Sequence, residues 1–182
     1  MKPVQAKPQR AGAPAMGLSH EIDIAAPPER VWAVLTDFAS YGEWNPYQTI
    51  EGEPKLYGKV HVTSRKLGSG EITQRAQAVL TKLEPSSKLE LFSGNVLTWS
   101  SLRWFHLFPS PKGTLLRHGV RMSGFLAKRA FKRTHRIERL QPLFAAVSEA
   151  AARRAISPSF RQPVKGKGNR HERRATRAKQ RN

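Results

Sequence analysis

The sequence predicts one α+β domain in which a curved antiparallel sheet is covered by a long C-terminal helix. Between residues 58 and 123, apolar and polar residues alternate in successive runs that are separated by turn-forming residues, as they do in hairpins. From residue 126 to residue 156, apolar residues recur at spacings of three or four, which is typical of an amphipathic helix. Because only this helix is long enough to cover the sheet, we expect a cavity between the two.

The first predicted elements are a short strand and a helix. In residues 20–24, isoleucines alternate with acidic residues, which predicts a strand with one apolar face. Pro28 suits an early helical position, and apolar residues at helical spacing from there to Phe38 predict a helix of about three turns. A further helical turn over residues 40–44 should end before Pro46, because the residue preceding a proline is pushed out of the helical region.

The hairpin region follows these elements. Its predicted extended runs cover residues 58–67, 71–83, 88–92, 96–108 and 114–123, with turns at 68–70, 93–95 and 109–113. In the last run, one phase holds apolar residues and a histidine, whereas the other phase includes two arginines. The apolar phase comprises Leu116, His118, Val120 and Met122. One face of this strand should therefore be buried.

The C-terminal helical pattern contains Pro142. Because a proline removes one backbone hydrogen bond and clashes with the preceding turn, we expect either a kink or two helices that meet near Gln141. Order should fade after Pro158. The predicted organisation is a disordered basic leader over residues 1–17, a folded domain over residues 18–156 and a disordered basic tail over residues 157–182.

The net charge of +19 is concentrated towards the C-terminus. Residues 18–126 contain 12 Lys or Arg against 10 Asp or Glu, whereas residues 127–182 contain 17 Lys or Arg and only Glu138, Glu149 and Glu172. Such a basic block attracts nucleic-acid phosphates or anionic membranes through a salt-dependent attraction that is independent of sequence. We expect either weak, nonspecific binding of this kind or a solvated tail without a dedicated partner. The tail residues expected to contact a polyanion are Arg170, Arg173, Arg174, Arg177, Lys179 and Arg181.

Composition argues against several kinds of site. The chain has no cysteine, which excludes disulfides, thiolate metal sites and a cysteine nucleophile. Its six histidines lack the spacing of metal ligands, so we expect no metal and no other cofactor. No apolar stretch approaches the length of a membrane span, and the N-terminus lacks the apolar region of a secretory signal. We therefore expect a cytoplasmic protein.

The first predicted strand ends in Ala-Pro-Pro-Glu. It is followed by the helical residues 31–38, then by Tyr41 and by the segment Trp44-Asn45-Pro46. This combination resembles the START-like helix-grip superfamily and, more narrowly, its polyketide cyclase/dehydrase and lipid-transport group, also called SRPBCC. The resemblance in element order extends from about residue 18 to residue 156. It implies a sheet of about seven strands wrapped around the C-terminal helix, with a pocket for a small hydrophobic molecule between them. It implies no single chemistry, since a fold is a poor guide to activity.

The candidate site residues are those expected near that pocket. They are Val62, Trp104, His106, His118, Val120, Met122 and Phe144. Both phases of the run that contains Trp104 are apolar, so periodicity alone does not decide which one faces inward, and we favour the phase of Trp104. His118 is the weak catalytic candidate, because a buried neutral imidazole accepts or donates one hydrogen bond to a ligand. A satisfied structural histidine remains the simpler interpretation.

Three functions follow from these features, and the first is favoured. It is noncatalytic binding or transport of a small hydrophobic molecule, lipid-like or aromatic. The second is a metal-free cyclase or dehydrase that uses His118 as a general base, which requires this histidine to reach the cavity. The third is association with a nucleic acid or an anionic membrane through the tail. The oligomeric state is not predicted.

Overall fold

The computed structural model describes residues 16–127 and 136–160, with the side chains of the second part described from Leu140 onward. Its centre is a curled, fully antiparallel sheet of seven strands. The strands are β1 (Met16–Ile24), β2 (Gln48–Glu51), β3 (Lys59–Arg65), β4 (Ile72–Glu84), β5 (Lys88–Asn95), β6 (Trp99–Ser110) and β7 (Gly113–Ser123). Their order across the sheet is β1-β7-β6-β5-β4-β3-β2. The predicted helix-grip sheet is thereby confirmed.

Successive hairpins from β2 to β7 account for most of this order. The first strand pairs with the last one, from Met16 opposite Met122 to Ile24 opposite Thr114. This pairing explains why β1 begins four residues before the predicted strand, since β7 offers a partner along the whole length. The connection from β1 to β2 crosses from one edge of the sheet to the other through helices.

Three short helical elements make that connection: α1 (Pro28–Thr36), a 3-10 turn (Phe38–Ser40) and α2 (Tyr41–Trp44). Proline occupies the start of α1, which buries Val31, Val34 and Leu35 on its inner side. The hydroxyl group of Tyr41 donates a hydrogen bond of 2.9 Å to the carbonyl oxygen of Leu35, which ties the two helices together.

Asn45 converts the end of α2 into the start of β2. Its side-chain Oδ1 accepts hydrogen bonds from the backbone N–H groups of Tyr47, at 3.2 Å, and Gln48, at 2.9 Å. The Asn-Pro step thus ends the helix and also fixes the first residues of the edge strand. Tyr47 and Gln48, which receive this support from Asn45, both line the cavity described below.

The turn between β5 and β6 differs from its prediction. Ser93, Gly94 and Asn95 continue β5 and pair with Ser101, Ser100 and Trp99, so the turn lies at residues 96–98 and not at 93–95. The side chain of Asn95 accepts a hydrogen bond of 2.9 Å from the backbone N–H of Leu97, which closes the turn. Gly94 and Asn95 therefore belong to the end of β5 and not to the turn.

A single long helix, α3 (Arg136–Ile156), covers part of the sheet. Pro142 lies inside it, so of the two predicted outcomes, a kink or two helices that meet near Gln141, the second is wrong. The ring of Pro142 is on the exposed side, while Phe144, Val147 and Ala151 continue one buried stripe past it. Packing of this stripe stabilises the helix on the C-terminal side of the proline. The predicted helical pattern began at residue 126, and residues 128–135 of it lie outside the described residues.

The folded chain continues beyond the predicted boundary at residue 156. Phe160 is buried, and the guanidinium groups of Arg30 and Arg154 lie over its ring at 6.0 and 5.5 Å from the centroid. Arg30 also donates a hydrogen bond of 2.5 Å to the carbonyl oxygen of Ser157. Residues 157–160 are therefore part of the packed structure, and the predicted tail residues from Arg170 onward lie outside the described residues.

No helix in the described residues is long and apolar enough to cross a membrane. The cytoplasmic location stays a prediction.

Truncation tests the boundary at Phe160. Removal of residues 158–182 deletes a buried aromatic ring and should lower the free energy of unfolding by about 3 kcal/mol. Removal of residues 161–182 keeps the ring and should leave stability within about 0.5 kcal/mol of the full-length value. Urea denaturation followed by tryptophan fluorescence measures both. Equal stability of the two truncated chains would show that the ring contributes nothing to the fold.

Candidate functional site

A cavity of about 370 Å³ lies between the concave face of the sheet and α3. Side chains from β2 to β7 line it, together with Leu140, Leu143 and Phe144 of the helix. The sheet contributes every second residue of its strands, because successive side chains point to opposite faces. The lining residues of β4 include Ala76 and Ala78, whose small side chains leave room above the sheet.

Four of the seven candidate ligand-binding residues meet at this cavity: Val62, Val120, Met122 and Phe144. They come from β3, β7 and α3, which are distant in sequence. The predicted buried phase of β7 is confirmed, since Leu116, His118 and Val120 are all buried.

Trp104 and His106 lie on the other face of the sheet, and this corrects the preferred inward direction of Trp104. The Trp104 ring packs against Gly119 of β7, where an added Cβ would lie 2.3 Å from the ring carbon Cζ2. His106 stacks beside that ring, with centroids 4.9 Å apart, and its Nε2 lies 3.0 Å from the carboxylate oxygen Oε1 of Glu90. The inward phase of β6 instead carries Phe105 and Leu107, both buried.

His118 is fully buried but does not line the cavity. Its ring is stacked between Phe105 and Phe144, with centroid distances of 4.2 and 4.5 Å. Burial lowers the pKa of His118 well below its ordinary value of 6.5, and the positive charge of Arg103 lowers this pKa further. Because Phe144 both stacks on the imidazole and forms cavity wall, His118 has no direct access to a bound molecule.

The hydrogen bonding of His118 is sparse. The Ser148 hydroxyl oxygen lies 3.5 Å from Nδ1, and this hydroxyl also donates a hydrogen bond of 3.0 Å to the carbonyl oxygen of Phe144. The other ring nitrogen, Nε2, has no partner in the described residues. These surroundings suit a neutral imidazole that packs as an aromatic ring in the core.

Arg103 is the main cavity residue that the sequence analysis missed. It lies on the inward phase of β6, opposite Leu91 of β5 and Val120 of β7. Its guanidinium carbon lies 5.9 Å from the ring centroid of Tyr47 and 5.5 Å from that of Phe144, and Nη2 donates a hydrogen bond of 3.1 Å to the Tyr47 hydroxyl oxygen. The sequence signal for this position was a single charged residue on the same phase of β6 as Phe105 and Leu107, which are both buried in the core.

Arg65, the last residue of β3, also lines the cavity and is half-buried. The register of β3 against β4 shifts between Ser64 and Arg65, where β4 has one extra residue, Thr73, so that Thr73 as well as Gln74 lines the cavity. Arg65 donates a hydrogen bond of 3.2 Å from Nη1 to the Thr49 hydroxyl oxygen, and Gln48 donates one of 3.0 Å to the Ser64 hydroxyl oxygen. Both bonds join β2 and β3, but only the second lies at the cavity wall, since Gln48 and Ser64 line the cavity and Thr49 does not.

The buried state of His118 predicts a pH dependence of stability. The pKa of His118 is depressed in the folded chain. Below pH 6.5 the unfolded chain therefore binds a proton that the folded chain does not. The free energy of unfolding should decrease as the pH is lowered through this range. Between about pH 7.5 and 5.5 this effect should cost the wild type about 1.4 kcal/mol relative to the variant His118→Phe. Urea denaturation at each pH measures the difference.

The matched control is His61→Phe, which changes an exposed histidine of β3. This variant should follow the wild-type pH profile. If His118→Phe follows it too, the imidazole takes up its proton in the folded chain as easily as in the unfolded one, and the buried neutral state is wrong.

Comparison with known proteins agrees with this architecture. The family model for polyketide cyclase / dehydrase and lipid transport matches residues 16–166, whereas no curated protein matches the chain. Among solved structures, protein CV1439 from Chromobacterium violaceum superimposes with a TM-score of 0.60 at 14% identity, over 76% of this chain and 96% of that one.

Two similar structures have named activities. Norcoclaurine synthase from Thalictrum flavum gives a TM-score of 0.59 at 14% identity, over 80% of this chain and 97% of that enzyme. The di-domain ARO/CYC StfQ of the steffimycin biosynthetic pathway gives 0.58 at 14% identity, over 78% of this chain and 50% of that one. At these identities the likeness is one of fold. The family model, however, spans most of the sequence, and the chain belongs to the polyketide cyclase/dehydrase and lipid transport family.

Proposed function

We propose that this protein binds a small hydrophobic molecule in the cavity between the sheet and α3, as a carrier or a sensor. The observation that carries the proposal is the cavity itself, which the protein's own side chains leave open over about 370 Å³. Apolar side chains on both walls favour such an occupant. They include Val62, Ala78, Leu91, Val120, Leu143 and Phe144.

Hydrophobic burial is a sufficient source of affinity for this role. Each methylene group that leaves water for the cavity contributes about 0.8 kcal/mol, so a chain of several carbons binds usefully without a covalent or metal-mediated contact. The polar side chains on the wall then orient the molecule. Sites of this kind combine a mainly apolar surface with a few fixed polar groups.

Carriage is favoured over cyclisation by a general base. Among the described residues that line the cavity there is no Asp, Glu or His, and His118 lies behind Phe144. A cyclase or dehydrase mechanism that depends on His118 therefore has no support from the geometry. Norcoclaurine synthase and the StfQ protein carry their named activities on the same fold, which is compatible with many functions.

Blocking the cavity tests the proposal. The variant Val62→Trp places an indole ring in the cavity and should weaken binding of the neutral probe N-phenyl-1-naphthylamine by about tenfold or more, through steric overlap. Fluorescence titration measures the dissociation constant. The control His61→Trp adds the same ring to the opposite, exposed face of β3 and should bind as the wild type does. Equal binding by both variants would place the probe elsewhere and contradict the proposal.

We also propose that the basic C-terminal segment associates with polyanions, because nine of residues 161–181 are Lys or Arg and only Glu172 is acidic. Binding to duplex DNA or to anionic vesicles should weaken with added salt and disappear when residues 161–182 are removed. Fluorescence anisotropy and vesicle co-sedimentation over a salt series measure the two cases. A truncated chain that binds like the full-length chain would assign the association to another part of the protein.

A further inference from the structure

The charged residues on the cavity wall all carry the same sign. They are Arg65, Lys66 and Arg103, and no acidic side chain joins them among the described lining residues. Lys66 is exposed, whereas the two arginines are half-buried. Arg65 is bonded to Thr49, which does not line the cavity, so Arg103 is the charged group that faces the largely apolar space.

Arg103 is held in a fixed position on this wall. Its guanidinium group lies over the rings of both Tyr47 and Phe144, and the hydrogen bond to Tyr47 uses one of its five N–H groups. Within the described part of the chain, no Asp or Glu forms a salt bridge with it. The planar group therefore retains donors for a second partner.

Tyr47 adds a donor beside the guanidinium. Its hydroxyl oxygen accepts the hydrogen bond from Arg103, so the hydroxyl proton is not used in that contact. Tyr47 itself is buried and lines the same cavity. A guanidinium fork and an adjacent O–H group together match the two oxygens of a carboxylate.

A cation in a largely apolar cavity is stabilised when an anion occupies the space beside it, because water there is limited and the local attraction is strong. From these contacts we infer that the ligand is a hydrophobic carboxylic acid, bound as its anion by Arg103 with the Tyr47 hydroxyl, while its apolar part fills the rest of the cavity. This inference rests on the proposed function and names the chemical class of its ligand.

Matched acids and amides test the charge requirement in the wild-type protein. Decanoate is compared with decanamide, and 2-naphthoate with 2-naphthamide, each as a competitor of N-phenyl-1-naphthylamine. The carboxylates should bind about tenfold or more tightly than the amides of the same shape, as expected for hydrogen bonds to a charged group. This comparison needs no variant.

Substitution then locates the effect. Arg103→Gln should remove the preference for the acid and leave amide binding within about threefold, while Arg103→Lys retains part of the preference because it keeps the charge but loses the planar fork. Tyr47→Phe should reduce the preference by a smaller factor. The control Arg121→Gln removes an exposed arginine of β7 that does not line the cavity, and it should behave as the wild type does. Thermal melting shows that each variant is folded.

The outcomes separate the inference from the proposed function. If acids and amides bind the wild type equally, or if Arg103→Gln keeps the preference, the role of Arg103 is wrong while the cavity remains a binding site. If neither the probe nor any competitor binds, the proposed function fails and the inference fails with it.

Discussion

The position of α3 over the sheet is the constraint on which the rest of this structure depends. The helix packs mainly against β1 and α1, at one side of the sheet. Its contact stripe contains small buried residues, Ala151 and Ala155, which allow a close approach there. The middle of the sheet is left uncovered, and small residues on β4 deepen the space. Tight packing on one side and a hollow on the other are thus two results of one arrangement.

Phe144 connects these two regions. One face of its ring stacks on the buried imidazole of His118, and the ring also forms part of the cavity wall beneath the Arg103 guanidinium. The core histidine is therefore kept neutral partly by the same cation that faces the cavity. The Arg103 guanidinium thus lies close to both the buried imidazole and the cavity, with the Phe144 ring in contact with each.

Periodicity predicted the secondary structure well because each strand from β3 to β7 faces water on one side and the core on the other. The alternation of Leu116, His118 and Val120 with polar residues placed β7 correctly. Periodicity failed on β6, whose outward face also carries apolar side chains, although they are half-buried or exposed. The outward side holds Trp104 against Gly119. Because apolar residues occupy both phases of this strand, the pattern does not show which phase faces the core.

From the sequence alone, the α+β class, the helix-grip resemblance and the separation between a near-neutral domain and a basic C-terminus were determined, because composition and period are local properties of the chain. The tertiary structure decided which side chains meet. Tyr47 directly precedes β2, whereas Arg103 lies on β6 and Phe144 on α3, and no local pattern joins the three. Their contact exists only because the sheet curls and the helix lies across it, which brings distant residues together around one space.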